Sequence, residues 1–222
     1  MENSAIKFSQ RKIKKNYRSI TGHFPSIKNN TSIGFESKLE KAHFLSLEFD
    51  NEVVSYQEQP QIEIFFNGKN QIYSADCYIK RVKNSSKKDS IVEVKYTNEI
   101  EKKKEYFEKR FESAKVSSNK LNLDFEVYTE QNHSEIYLDN LDFLYRYKLY
   151  PIENKYENQI INLVKQNKRV TAFELANLIS QNLKDYPTIS NCIWDLVCKE
   201  KLKSDLQSSK VTMNSFVELS CE

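Results

Sequence analysis

The segment Ile91-Val92-Glu93-Val94-Lys95 carries the clearest chemical signal in the chain. Side chains alternate faces along a β-strand, so Glu93 and Lys95 share one face while Val92 and Val94 turn into the core behind them. Asp76 comes one strand earlier, directly after Ser74-Ala75. An acid on one strand and Glu-x-Lys on the next is the arrangement that a metal-dependent nuclease needs. Two carboxylates can hold a hard divalent cation through oxygen, and the main-chain carbonyl of Val94 can add a ligand. Magnesium is the expected ion, with manganese as a substitute, because carboxylate and water ligands suit both. Such a cation polarises a phosphodiester and lowers the pKa of bound water. The Lys95 ammonium cannot ligate a metal, but it can orient that water or balance its developing charge. Taken alone, Glu-x-Lys also suits the solvent-facing side of a half-exposed sheet.

A third acid strengthens the pattern. Helical spacing predicts a helix over about 34–49, with Phe35, Leu39, Ala42 and Phe49 on one stripe and Glu40, Phe44 and Leu47 on a second. A carboxylate set among apolar residues is unfavourable unless a cation or hydrogen-bond donors satisfy it. Glu40 is therefore a candidate to share a metal with Asp76 and Glu93, whereas Glu48 is expected on the polar face with Lys41.

The elements that must position these groups follow from the rest of the pattern. A β-rich stretch starts at Val53. Gln61 to Phe66 and Lys69 to Ile79 read as a hairpin around Asn67-Gly68, a pair that favours the positive φ angles of a tight turn. Residues 91–96 form a further strand, 98–117 a long charged helix and 125–129 a closing strand. The expectation is an α/β domain over 1–150, a mixed sheet flanked by helices. Beyond Tyr150-Pro151 the texture changes. Helices are expected over 156–166, after Thr171 with Glu174 completing a capping box, and over about 188–200 behind Pro187. A short ribbon around Leu202 to Phe216 then makes 151–222 a winged-helix-like domain.

Composition narrows the function classes. The chain has 222 residues, of which 39% are hydrophobic and 29% charged. Only three glycines occur, and neither Gly-rich phosphate-binding motif is present. The four cysteines (Cys77, Cys192, Cys198 and Cys221) form no Cys-x-x-Cys pair, which argues against a zinc knuckle. No apolar run approaches membrane-spanning length, so a soluble, intracellular protein is expected. The net charge is only +3, so clustering has to carry any case for nucleic acid. Arg11, Lys12, Lys14, Lys15 and Arg18 form a basic arm, and Lys80, Arg81, Lys83, Lys87 and Lys88 a basic loop. Both are candidate phosphate contacts, the loop at one edge of the site because it joins the strands of Asp76 and Glu93. Charge runs of this kind also serve simply to solvate a surface.

At these residues the sequence resembles the TnsA-type transposon endonucleases. The resemblance rests on TGHFPSIK (21–28), FESKLEKAHFLSLEFDNEVVSYQEQP (35–60), YSADC (73–77), IVEVK (91–95) and LDFLYRY (141–147), and the tail resembles that family's helical C-terminal domain through weaker motifs. It implies a restriction-endonuclease-like core with a winged-helix-like C-terminal domain. It also implies Glu40, Asp76 and Lys95 as catalytic positions, with Glu93 at a position held by an acid or amide. Ala75-Asp76-Cys77 stands where that family tends to have Pro-Asp-Phe; the acid is kept. The implied activity is magnesium-dependent cutting of double-stranded DNA at the 5′ ends of a transposon during cut-and-paste transposition. The implied partners are a TnsB-type transposase, which cuts and joins the 3′ ends, and a TnsC-type AAA+ ATPase that meets the C-terminal domain. The implied setting is the bacterial cytoplasm. Two other readings stay open: a stand-alone restriction or repair nuclease, and a non-catalytic DNA-binding assembly subunit.

Overall fold

The computed structural model describes residues 6–8 and 20–220. The basic arm, Arg11, Lys12, Lys14, Lys15 and Arg18, lies outside the described residues. The chain divides into two compact units, Met1–His133 and Ser134–Glu222.

The first unit opens with β1 (Lys7–Phe8), β2 (Gly22–Ser26), β3 (Thr31–Phe35) and α1 (Lys38–Glu48). Four strands follow: β4 (Val53–Glu58), β5 (Pro60–Phe66), β6 (Lys69–Ser74) and β7 (Cys77–Arg81). It ends with β8 (Ser90–Val94), α2 (Thr97–Lys102), α3 (Lys104–Lys120) and β9 (Asp124–Tyr128). Two sheets result, ordered β1-β5-β6 and β4-β7-β8-β9, beside the β2–β3 hairpin. The β8–β9 pair is parallel and the other pairs are antiparallel, so the expected mixed sheet is present.

The hairpin β2–β3 occupies residues that looked irregular in the sequence. Gly22 pairs with Phe35, and a Cβ on Gly22 would stand 2.8 Å from the Phe35 ring, so the close approach requires glycine there. Because Gly34 and Phe35 are paired in β3, α1 starts later than the spacing predicted. Ser37 caps it, its side chain accepting from the Glu40 amide. Glu48, expected on a polar face, is instead buried at 1% exposure. Its Oε1 accepts from Ser26 Oγ at 2.6 Å and from Tyr56 Oη at 2.8 Å, which ties the hairpin and β4 to the end of α1.

The predicted hairpin at Asn67-Gly68 is longer than expected and is bent. Asn67 (φ 51°) and Gly68 (φ 76°) form its two-residue turn. From Phe66 opposite Lys69 to Tyr56 opposite Ile79 the register runs unbroken, yet the two arms leave one sheet and enter the other midway. The bend lies where Gln59, in the left-handed region at φ 53°, faces Asp76. Ala75 N still donates to Pro60 O in the first sheet (3.0 Å), and Asp76 N already donates to Val92 O in the second (3.0 Å). The single strand expected over 69–79 is therefore two strands joined at Ala75-Asp76. The helix expected over 98–117 is likewise two, broken at Lys103. α3 covers a core of Ile62, Ile64, Phe66, Tyr73, Ile91 and Leu123, into which it places Ala114.

The second unit contains α4 (Glu135–Leu149), α5 (Glu157–Asn167), β10 (Arg169–Thr171), α6 (Ala172–Ile179), α7 (Tyr186–Cys198), β11 (Leu202–Lys203) and β12 (Phe216–Leu219). Its strands form one antiparallel sheet in the order β10-β12-β11, of which β10 had no signal in the sequence. The predicted capping box is complete: Thr171 and Glu174 each satisfy the other's backbone amide. The unit begins before α4, not near residue 150 as expected. The reason is packing: α4 buries Leu141, Leu144, Tyr145 and Tyr147, sets Phe143 edge-on to Trp194 at 5.7 Å, and donates from Tyr147 Oη to Asn191 Oδ1 at 3.1 Å. Among the described residues no helix is long and apolar enough to cross a membrane.

Replacing Glu48 by Ala removes a buried acceptor shared by the Ser26 and Tyr56 hydroxyls. It should lower stability by about 3 kcal/mol, read as a shifted urea midpoint at unchanged slope. A midpoint equal to wild type would show that Glu48 does not fasten the hairpin.

Candidate active site

The bend at Asp76 is where the site is built. Asp76 lies in the two-residue junction Ala75-Asp76 between β6 and β7, so its side chain is released from the pleat of either strand. Its Oδ2 accepts from the Val94 amide at 2.7 Å. Val94 lies just past the last β7–β8 pair, Cys77 opposite Val92, so the carboxylate takes the place of the next ladder partner. The N–H and C=O of one strand residue point to the same edge, which turns the Val94 carbonyl toward the Asp76 side. One residue on, Lys95 N donates to Tyr128 O at 2.9 Å and fixes the end of β8 to β9.

Glu93 and Lys95 share a face, as strand alternation requires: Lys95 Nζ stands 3.6 Å from Glu93 Oε1. The other oxygen, Oε2, accepts from the buried Tyr73 Oη at 2.6 Å. Glu40 comes from the first turn of α1, within electrostatic reach of both Asp76 and Lys95. Its own carboxylate is held by its helix end: Oε1 accepts from Ser37 Oγ and Oε2 from Glu36 N, each at 3.0 Å. Those donors satisfy the acid that the sequence placed on an apolar stripe. All four candidates, Glu40, Asp76, Glu93 and Lys95, thus share one neighbourhood.

Electrostatics follows from crowding acids in a buried place. Asp76 is pushed up to about 8, first by burial and then by the Glu93 charge, with Glu40 adding and the Val94 amide and Lys95 opposing. Burial also raises Glu40, with Glu36 adding, while its hydrogen bonds and Lys95 pull it back. His43, one turn after Glu40, is pushed down to about 3 by burial and stays neutral. With no hydrogen-bond partner for either ring nitrogen among the described residues, it has the character of a core imidazole.

The donor set fits a hard divalent cation by charge and type. Three carboxylates face one ammonium, and a cation would offset the burial and the carboxylate repulsion that together raise Asp76. Among the described residues Glu93 Oε1 is engaged only by Lys95 Nζ, at 3.6 Å, and none donates to Asp76 Oδ1. The fit is one of chemistry: among the described residues no three His, Cys, Asp or Glu side chains converge as a finished metal cage.

The basic loop is placed differently from expectation. Asp76 precedes β7 and the loop follows it, so Lys83, Lys87 and Lys88, all exposed, lie at the far end of the strand, roughly 17 Å along it. Arg81 is no phosphate contact. It is buried, 3.4 Å from both Asp50 Oδ2 and Glu126 Oε1, and its Nε donates to Lys88 O. Two residues of the site were missed. Ser37 stands three before Glu40, a capping signature legible in the sequence. Tyr73 falls at an inward position of β6, but nothing in its spacing marks a hydrogen bond to a strand of the other sheet.

Residues 50–130 match the family model described as TnsA-like endonuclease N terminal. The match takes in Asp76, Glu93 and Lys95 and leaves Glu40 and the second unit outside it. Over that stretch the chain is TnsA-like, and the mixed sheet with helices is consistent with a restriction-endonuclease-like fold. No curated protein matches the chain.

A carboxyl whose folded pKa lies above its ordinary 3.8 opposes folding once the unfolded chain ionises. The favourable state is complete below pH 3.8 and is lost as pH rises toward about 8. In metal-free buffer, Asp76→Asn should therefore raise the melting temperature near pH 8 and leave it little changed near pH 4. Parallel melting curves for the two proteins across that range would show that Asp76 is not forced to carry charge in a buried site.

Proposed function

We propose that this chain, TnsA-like over residues 50–130, is a magnesium-dependent DNA endonuclease that cuts the 5′ ends of a transposon. The observation that carries the reading is the meeting of Asp76, Glu93 and Lys95 at the hairpin bend, with Glu40 in range. Asp76, Glu93 and the Val94 carbonyl would hold the ion, Glu40 closing the set if its carboxylate turns from its cap. When bound, Mg2+ (or Mn2+) polarises the scissile phosphate and activates water.

The chain's own groups supply the rest. Lys95 is partly exposed, at 25% of its side chain, and is held by Glu93, so its ammonium can face an incoming water or the phosphate oxygens without leaving the site. Asp76 is fixed by the Val94 amide, which keeps one oxygen directed while the other remains for ligation. Val94 itself is buried, so the strand that carries the chemistry is anchored from behind. Lys83, Lys87 and Lys88 are free to meet a duplex away from the cut, since B-DNA is wide enough to span the distance from Asp76.

For the second unit we adopt a winged-helix-like module that docks a protein. From α5 onward its order of helix, strand, two helices and two strands, with the sheet ordered β10-β12-β11, supports the first half, and α4 is an additional helix ahead of that order. The second half is supported by α7. In groove-reading modules the corresponding helix presents its side chains to the bases. Here Cys192 to Cys198 are buried all round, with α4 packed against them, and the unit's basic and acidic residues almost balance. A TnsC-type ATPase is the proposed partner of this unit, and a TnsB-type transposase the proposed partner in end cutting.

The test is end-specific cleavage by the full chain with and without a TnsB-type transposase. Asp76→Ala should abolish cutting, and Lys95→Ala should lower it about a hundredfold or more while cation binding persists. Wild-type cleavage by Asp76→Ala would remove this site from the reaction. Cutting of bare duplex DNA by the chain alone at the full rate would favour a stand-alone nuclease.

Ending the chain at His133 should leave a soluble first unit that no longer binds the ATPase. Ending it at Tyr150 should give a less soluble product, because Leu141, Leu144 and Tyr145 lose the helix they pack on. Equal solubility of the two, or undiminished ATPase binding, would refute the division of labour.

A further inference from the structure

Tyr73 is 1% exposed and belongs to the apolar core under α3, yet its hydroxyl reaches out of that core to the catalytic sheet. It stands on β6 in one sheet, and its 2.6 Å hydrogen bond ends on Glu93 of β8 in the other. The Arg110 guanidinium of α3 lies 4.9 Å from the centre of the tyrosine ring, a cation–π contact that holds the ring from above. Phe125 meets the same ring edge-on at 6.1 Å. The ring is thus clamped, and among the described residues its hydroxyl has one hydrogen-bond acceptor, Glu93.

We propose that Tyr73 is the positioning residue of the site, fixing Glu93 so that Oε1 alone is presented to Lys95 and a cation. The argument rests on the nuclease reading, because it concerns how Glu93 serves that site. A carboxylate on a strand can rotate and offer either oxygen or both. A donor on Oε2 removes that freedom and leaves Glu93 a one-oxygen ligand beside Asp76. Losing such an outer partner ordinarily weakens metal affinity tenfold to a hundredfold. A tyrosine that only fills core volume would affect melting and leave cation affinity alone, since phenylalanine fills the same space.

The test measures Ca2+ binding to the full chain by calorimetry, a readout that needs no cleavage. The proteins are wild type, Tyr73→Phe, Glu93→Gln, the double variant and Asp76→Ala. Tyr73→Phe should bind Ca2+ about tenfold more weakly and need proportionately more Mg2+ for half-maximal cutting, with DNA affinity in the absence of metal unchanged. The double variant should bind no more weakly than Glu93→Gln alone, because Tyr73 acts through Glu93. Should Tyr73→Phe fail to fold, Arg110→Gln, which frees the ring from its half-buried side, should move Ca2+ affinity in the same direction. Wild-type Ca2+ affinity in the folded Tyr73→Phe or Arg110→Gln protein, with Asp76→Ala defective, overturns the positioning role and spares the nuclease reading. A Tyr73→Phe loss that adds in full to that of Glu93→Gln does the same. Wild-type affinity in Asp76→Ala overturns the metal reading and this role with it.

Discussion

The hydrogen bond from the Val94 amide to Asp76 is the contact on which the first unit's architecture turns. A strand that loses its neighbour leaves unpaired main-chain groups, and burying them without partners is costly. Here β7 stops short of the end of β8, and a side chain from the bend completes the ladder. The same carboxylate is thereby drawn into a place where burial and Glu93 oppose its charge. Structure and chemistry therefore pull in opposite directions at one residue. The fold holds Asp76 in place with a donor, and the surrounding acids keep it disposed toward a cation or a proton.

Much of this was legible in the sequence where a single local rule decided the outcome. Strand alternation placed Glu93 and Lys95 on one face, Asn67-Gly68 marked the turn, and Thr171 with Glu174 announced a helix start. Where two rules competed, the reading failed. Gly34 and Phe35 continue the helical stripe of α1, but cross-strand pairing with Gly22 and His23 claims them for β3. Glu48 has the helical phase of a surface acid, but three donors from outside the helix bury it. The bend at Gln59 and Asp76 carries no glycine or proline at its two facing positions, and its one local signal, Pro60 directly after Gln59, does not say that the chain changes sheets there. It becomes intelligible only once β8 is in place to accept the second half of the hairpin.

The placement of basic residues shows the same limit. Charge runs report solvation and reach, and chain order suggested that the loop between the strands of Asp76 and Glu93 lies beside the candidate site. Antiparallel geometry decides otherwise: Asp76 stands before β7 and Glu93 near the end of β8, so the connection between them lies at the opposite end of both. In the second unit, helix order suggested a winged-helix-like module, whereas the burial of Cys192 to Cys198 in α7 is a tertiary property that no window of sequence contains.

The unbroken pairing through the bend also bears on which lengths of chain this fold can accept. Phe66 faces Lys69 and Tyr56 faces Ile79 in one continuous count, with Asp76 midway. A single inserted residue in either arm between the turn and the bend would exchange inward for outward side chains along the paired segment. It would also move the acid off its partner across the strand. Four residues added near the turn, two to each arm, would keep every facing pair and the alternation of hydrogen-bonded pairs, and lengthen only the projecting end. Natural or designed variation in the reach of this hairpin is therefore expected in matched steps, with the bend as the fixed point from which both arms are measured.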